Sequence, residues 1–194
     1  MAEVGIIGAG SWGTALSLLL YKNGNQVTVW SALENEIQML KEEREQKDKL
    51  PGVKLPEDMI FTTNLEEAIK GKDVLVLAVP SPFTRSTSAK MKPYVKDGQI
   101  IVNVAKGIEE TTLMTLSEII EEEIPQANVA VLSGPSHAEE VGRGLPTTIV
   151  AGAKDKATAE YLQNLFMSEV FRVYTSSDVL GIELGAALKN VVAL

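Results

Sequence analysis

Apolar and polar positions along the chain follow two rhythms. Short apolar or β-branched runs recur at 4–7, 26–30, 60–62, 73–79, 99–104, 129–132, 147–151 and 170–174, which predicts eight strands. The run at 73–79 (DVLVLAV) is nearly continuous, the mark of a strand buried on both faces. Between the runs, stretches at 15–20, 33–44, 64–69, 112–123 and 155–167 suit helices, and a last helix is expected from Ser177 or Asp178 to the end. Asn64 is suited to cap the helix that follows it, and Gly24 to close the one before it in a left-handed turn. Strands that alternate with helices in this way predict an α/β fold: a doubly wound, mostly parallel sheet with helices on both faces.

One stretch organises the rest. Gly8-Ala9-Gly10-Ser11-Trp12-Gly13-Thr14-Ala15 lies between the first strand and the first helix. The spacing Gly8, Gly10, Gly13 fits the dinucleotide-binding fingerprint of a Rossmann-like domain. Gly8 permits the tight turn, Gly10 lets a pyrophosphate approach the backbone, and Gly13 lets the helix pack close to the strand. The phosphates then face free N–H groups and the positive end of the helix dipole.

Ligands of such sheets bind beyond the C-terminal ends of the strands. Four stretches therefore converge on one edge: the glycine turn, Pro80-Ser81-Pro82-Phe83, Lys106-Gly107 and Gly134-Pro135-Ser136.

Composition narrows the chemistry. The 194 residues are 45% hydrophobic and 23% charged, ordinary for a globular chain with one sizeable core. Cysteine is absent and there is one histidine, so thiol chemistry, disulfides and a metal site are not expected. A formal charge of −8 disfavours nucleic acid as a partner, while a small anionic ligand in a locally basic pocket stays compatible. The sequence has no apolar run long enough to span a membrane and no signal segment, and the expected location is the cytoplasm. The last residues, Lys189-Asn190-Val191-Val192-Ala193-Leu194, stop inside an apolar helix without a capping signal, as expected of a piece of a longer protein.

Together with the glycine turn, Val104-Ala105-Lys106-Gly107, Ser133-Gly134-Pro135-Ser136 and Glu183-Leu184-Gly185-Ala186-Ala187-Leu188-Lys189-Asn190 occur in a telling order and separation. Leu50-Pro51-Gly52-Val53-Lys54-Leu55-Pro56 adds to the pattern. Over essentially its whole length the chain resembles the N-terminal half of the NAD(P)-dependent sn-glycerol-3-phosphate dehydrogenase family, of bacterial type. The resemblance implies interconversion of glycerol 3-phosphate and dihydroxyacetone phosphate by hydride transfer with NAD or NADP, for glycerophospholipid precursor synthesis. It implies a cofactor domain at 1–177, a helix from 178 to 194 that leads into a helical substrate domain absent here, and a homodimer for the full-length protein. The chain alone is then expected to be inactive.

Site roles follow from the resemblance, residue by residue. Lys189 is implied as the general acid/base and a substrate contact, and Lys106 as a contact to both substrate and cofactor. Gly134 and Ser136 are implied as substrate contacts. Gly8, Ala9, Gly10, Ser11, Trp12, Gly13, Phe83 and Ala138 are implied around the cofactor. An ordinary lysine, with a pKa of about 10.4, is a poor base at neutral pH, so burial or a second cation is expected beside Lys189. The apolar residues around it suggest a buried setting. Trp12 reads equally as a core anchor or a cofactor wall, and Phe83 as a core aromatic or a neighbour of the nicotinamide. His137 is given no catalytic role, and Glu140 a structural one at a helix start.

The ribose-reading position departs from the usual patterns. Strand two is followed by Ser31-Ala32-Leu33-Glu34, where an acid would favour NAD and a basic residue NADP. Ser31, Glu34, Lys47 and Lys49 are the candidates, and cofactor preference stays open. So do two other functions: a non-catalytic dinucleotide-binding fragment, and a related dehydrogenase acting on a hydroxy acid or a sugar acid.

Overall fold

A computed structural model describes residues 1–192. The final two residues of the expected last helix, 193 and 194, lie outside the described residues. Eight strands form a single sheet: β1 (Glu3–Ile7), β2 (Gln26–Trp30), β3 (Ile60–Thr62), β4 (Val74–Leu77), β5 (Ile100–Asn103), β6 (Asn128–Ser133), β7 (Thr147–Ala153) and β8 (Phe171–Ser176). Their spatial order is β3-β2-β1-β4-β5-β6-β7-β8. The first six run parallel, β7 is antiparallel to β6, and β8 runs parallel to β7. This is the doubly wound, mostly parallel sheet that the sequence predicts.

The helices are α1 (Ser11–Lys22), α2 (Glu34–Glu43), α3 (Leu65–Ile69), α4 (Thr84–Met91), α5 (Leu116–Glu123), α6 (Ala138–Gly142), α7 (Lys156–Phe166), α8 (Val179–Ala187) and α9 (Lys189–Val192). Among the described residues none is long and apolar enough to cross a membrane. Val4, Ile6, Val74, Val76 and Val102 point to one face of the sheet and pack under α1 and α7, and Ile7, Leu75, Leu77 and Ile101 pack on the other. Asn64 caps α3 as expected, accepting from the N–H groups of Glu66 and Glu67. Thr115 and Glu118 form a reciprocal capping box that starts α5.

Three expectations need correction. The helix expected over 112–123 begins only at Leu116, because Leu113 takes a left-handed conformation (φ 62°) that no helix continues through. The final helix is not continuous: α8 ends at Ala187, Leu188 sits in a turn, and α9 starts at Lys189. Helix α4 has no counterpart among the expected elements. Its buried face is Thr84, Thr87, Ser88 and Met91, so it carries little hydrophobic periodicity.

Arg85 of α4 ties the loop after β5 to α5. Its guanidinium donates to both carboxylate oxygens of Glu109 (2.8 Å each), and to Glu122 (2.9 Å) and Glu123 (2.7 Å). The hydrogen bonds from Arg85, then that from Thr112, hold the Glu109 carboxyl down to about 2. A depressed carboxyl stabilises the fold fully above its unfolded value, near 4.5, and loses that contribution as pH falls through about 2. Arg85→Met is therefore expected to melt below the wild type above pH 5, with the difference vanishing near pH 2. Paired thermal melts across that range check it, and a gap that persists at low pH would rule the clamp out as its cause.

Candidate functional site

Sheet order reverses between β1 and β4, and the crevice opens at their C-terminal ends. The glycine turn enters it directly. Gly8 has φ 122°, and a Cβ there would come within 2.7 Å of the Ala78 carbonyl oxygen. At Gly13 a Cβ would lie 2.0 Å from the Gly8 carbonyl oxygen, so α1 reaches its start only with glycine there. Gly10 differs: a Cβ would meet nothing within 4 Å, because its open side faces the crevice. The Thr14 N–H is the first to close back on the Gly10 carbonyl, at 2.9 Å, which leaves the preceding amides of α1 without helical partners.

The crevice is a cavity of about 950 Å³. Gly8, Ala9, Gly10, Ser11 and Trp12 line it, as do Ala78 to Ser81 and Phe83 after β4, Val104 to Lys106 after β5, and Ser136 to Ala138 after β6. Each of the four stretches expected to meet contributes to the lining, although Gly13, Pro82, Gly107, Gly134 and Pro135 are not part of it. Residues 30–33, at and after the end of β2, also line the cavity, with Glu36, Lys49 and Lys90 among the further wall residues. Helix α6 packs on α1, which brings the Ser136–Ala138 stretch over the glycine turn. Trp12 is half-buried, packs on the core and also lines the cavity. Phe83 is 58% exposed at the cavity wall, which excludes the core reading. His137 is exposed at the rim, and Glu140 lies exposed in the first turn of α6.

At the far end the Lys106 ammonium donates to the Gly134 carbonyl oxygen at 3.1 Å. Gly134 thus contributes a carbonyl to this corner. Burial, then the positive charge of Lys189, pushes the Lys106 ammonium below the ordinary lysine range. The two lysines therefore share one electrostatic neighbourhood, as expected. Lys189 itself is exposed, and this corrects the buried setting expected for it. The apolar residues around it do not cover it: Leu188 is 47% and Val191 68% exposed. Nor is Lys189 part of the cavity wall. The Ser136 hydroxyl is buried at the cavity and has no hydrogen-bond partner among the described residues. A buried hydroxyl left unpaired is costly, and an oxyanion placed in the cavity would satisfy it. That hydroxyl and the open side of Gly10 fit a phosphate-bearing ligand. Among the described residues no group of acids and histidine could hold a metal ion.

Two buried polar residues near the site were missed in the sequence. Glu183 of α8 accepts from the Asn103 amide (3.1 Å), the Ser117 N–H (3.0 Å) and the Ser117 hydroxyl. Asn103 also brackets the backbone of Ala105, next to Lys106. Glu36 of α2 is largely buried, lines the cavity beside Ser31 and accepts a hydrogen bond from its hydroxyl. A lone acid in the apolar α8, and an acid on the same side as Ile37 and Leu40 in α2, were the available signals.

Residues 3–159 match the family described as NAD-dependent glycerol-3-phosphate dehydrogenase N-terminus. The chain belongs to this family. Glycerol-3-phosphate dehydrogenase [NAD(P)+] of Agathobacter rectalis is 70% identical over the whole chain, and that of Fusobacterium nucleatum 57%. The chain spans 58% of the length of each of these curated relatives. The crystal structure of glycerol-3-phosphate dehydrogenase from Coxiella burnetii superposes with a TM-score of 0.93 at 31% identity, covering 99% of this chain and 59% of that one. The described fold is thus that of the N-terminal part of the glycerol-3-phosphate dehydrogenase family.

Proposed function

We propose that the chain is the dinucleotide-binding part of an NAD(P)-dependent enzyme that interconverts sn-glycerol 3-phosphate and dihydroxyacetone phosphate, supplying glycerophospholipid precursors. The observation that carries this reading is the convergence of the glycine turn, Lys106 and the unpaired Ser136 hydroxyl on one cavity, in a chain of that family.

Gly8, Ala9, Gly10, Ser11, Trp12 and Gly13 form the pyrophosphate seat, with Phe83, Lys106 and Ala138 along the rest of the dinucleotide. Lys106, Gly134 and Ser136 hold the phosphorylated substrate. Bound nicotinamide supplies or receives the hydride. Lys189 takes the hydroxyl proton as the alcohol is oxidised and returns one to the carbonyl oxygen in reduction. Residues 1–177 are the cofactor domain, and residues from 178 open the helical substrate domain of a cytoplasmic homodimer.

Calorimetric titration with NADH and NADPH is the test on this chain, and saturable one-to-one binding of at least one is expected. The full-length enzyme is expected to turn over dihydroxyacetone phosphate and to leave 2-hydroxy acids untouched. Binding of neither dinucleotide would overturn the cofactor reading. Binding without turnover by the full-length protein would leave a nucleotide-binding module in place of an enzyme.

A further inference from the structure

The chemistry proposed above needs Lys106 and Lys189 to face one substrate, yet they come from distant parts of the chain. Lys106 follows β5, and Lys189 opens α9. Between them lies a buried acid that the chemistry does not use. In α8 only Glu183 is buried, at 5% exposure, while Leu180 and Leu184 beside it are exposed.

A buried carboxylate is costly unless its charge is hydrogen-bonded. The donors here are the Asn103 amide at 3.1 Å, the Ser117 N–H at 3.0 Å and the Ser117 hydroxyl, all of them neutral. Ser117 is in the first turn of α5, so its N–H is one that the helix leaves without a backbone partner. The positive end of the α5 dipole therefore supports the charge. One carboxylate thus joins three elements: α8, the end of β5 and the start of α5.

Two of those elements lead to the lysines. Asn103 accepts the Ala105 N–H at 3.1 Å and donates to the Ala105 carbonyl oxygen at 3.3 Å, and Ala105 and Lys106 line the cavity. On the other side Lys189 follows six residues after Glu183. That is about 9 Å along a helix. The turn at Leu188 keeps helical hydrogen bonds: the Leu188 N–H reaches the Leu184 carbonyl at 2.9 Å, and the Val192 N–H reaches the Leu188 carbonyl at 3.0 Å. The positive charge of Lys189 contributes to the lowered pKa of Lys106, so the two ammonium groups lie within electrostatic reach. Glu183, Asn103 and Ser117 are not part of the cavity wall, so none of them is placed to touch a dinucleotide.

We propose that Glu183 is a positioning residue: by clamping α8 to the end of β5 and the start of α5, it sets Lys189 against Lys106 across the substrate. This rests on the proton-transfer role given to Lys189 above. Glutamine keeps the shape of Glu183 but turns one acceptor oxygen into a donor, which would then face the N–H or O–H of Asn103 or Ser117. Relief requires the side chain, and α8 with it, to shift. A displacement of about 1 Å in a reacting group costs on the order of 10²-fold in rate.

Steady-state kinetics on the full-length enzyme tests this, with Glu183→Gln, Lys189→Ala and the double variant. Glu183→Gln is expected to lower kcat for dihydroxyacetone phosphate about 30- to 100-fold and to leave dinucleotide affinity within about twofold. In the Lys189→Ala background the same change is expected to cost less than about threefold, because a residue that acts by aiming Lys189 has nothing left to aim. A merely structural role would carry its loss unchanged into that background. Such additivity overturns the proposal, as does full kcat in Glu183→Gln. Should Glu183→Gln fail to fold by circular dichroism, Ser117→Ala replaces it in the cycle, since it removes the hydroxyl donor and leaves the N–H. Its expected loss in kcat is about tenfold, the scale of one hydrogen bond to a charged group, and it too is expected to vanish beside Lys189→Ala. No loss, or a loss that persists there, overturns the proposal. If Lys189→Ala alone keeps full turnover, the role of Lys189 and this proposal fall together. If Lys189→Ala is slow and the two losses add, only the positioning role falls.

Discussion

Gly13→Ala is expected to destabilise the domain strongly, and Gly10→Val to leave its stability nearly unchanged but abolish dinucleotide binding. The two glycines lie three residues apart in one motif, and the contrast follows from what surrounds them. Gly13 is inside α1, where alanine is the better helix former by about 1 kcal/mol. Propensity alone would make the substitution stabilising. The new Cβ, however, would sit 2.0 Å from the Gly8 carbonyl oxygen, a backbone atom that cannot swing aside. Relief requires α1 to move away from the glycine turn and from β4, so the clash decides the sign. A loss of roughly 4 kcal/mol is expected, at the high end for a single substitution. That corresponds to a fall of roughly 10 °C in melting temperature for a chain of this size.

Gly10 has φ −68° and ψ −178°, extended backbone that any residue adopts, and open space where its side chain would be. Gly10→Val loses at most about 1 kcal/mol as a poorer helix cap. Its methyl groups project from the mouth of α1 into the crevice, where a pyrophosphate would need to reach the free amides. Differential scanning calorimetry and titration with NADPH on both variants separate the effects. Gly10→Val that still binds would mean that the phosphates lie elsewhere.

Which parts of the fold were legible depended on where burial and hydrophobicity coincide. The strands were plain, because β1, β2, β4, β5 and β6 are buried on both faces and their sequences are nearly unbroken apolar runs. The convergence of four loops on one edge followed from that order alone. Helix α4 was hidden because Thr84, Thr87 and Ser88 do the work that leucines do elsewhere. At the other end of the chain, hydrophobicity and burial separate. Leu180, Leu184, Leu188 and Val191 are exposed, while Glu183 between them is buried. Local composition therefore pointed to a buried Lys189, and a hydrogen-bond network that no periodicity encodes decided which side of α8 faces the sheet. The same blindness covers Glu36: its three donors come from 31, 46 and 49, and only the folded loop shows that they meet.

The largest effect on activity is expected from Lys189→Ala in the full-length enzyme, with kcat reduced roughly 10²–10⁴-fold, the usual worth of a positioned proton-transfer group. Dinucleotide affinity is expected to stay unchanged, because Lys189 lies outside the wall of the dinucleotide cavity. Lys189→Arg is expected to be nearly as slow, since a guanidinium keeps the charge but does not release a proton near neutral pH. Arginine thus separates proton transfer from simple attraction of the substrate phosphate, which either cation would provide.

The substitution also has a consequence at Lys106. Burial is the larger cause of its lowered pKa, and the charge of Lys189 is the second. Removing that charge moves Lys106 back toward the ordinary lysine range, whereas Lys189→Arg leaves it where it is. The Lys106 ammonium then stays protonated to higher pH in the alanine variant, and if it holds the substrate phosphate as proposed, the alkaline rise in KM for dihydroxyacetone phosphate is expected to shift upward with it. A pH series of KM and kcat on the three proteins reads both effects at once. Full turnover by Lys189→Ala would remove it from the chemistry. A lowered kcat with an unshifted KM profile would keep it there but dissolve its partnership with Lys106.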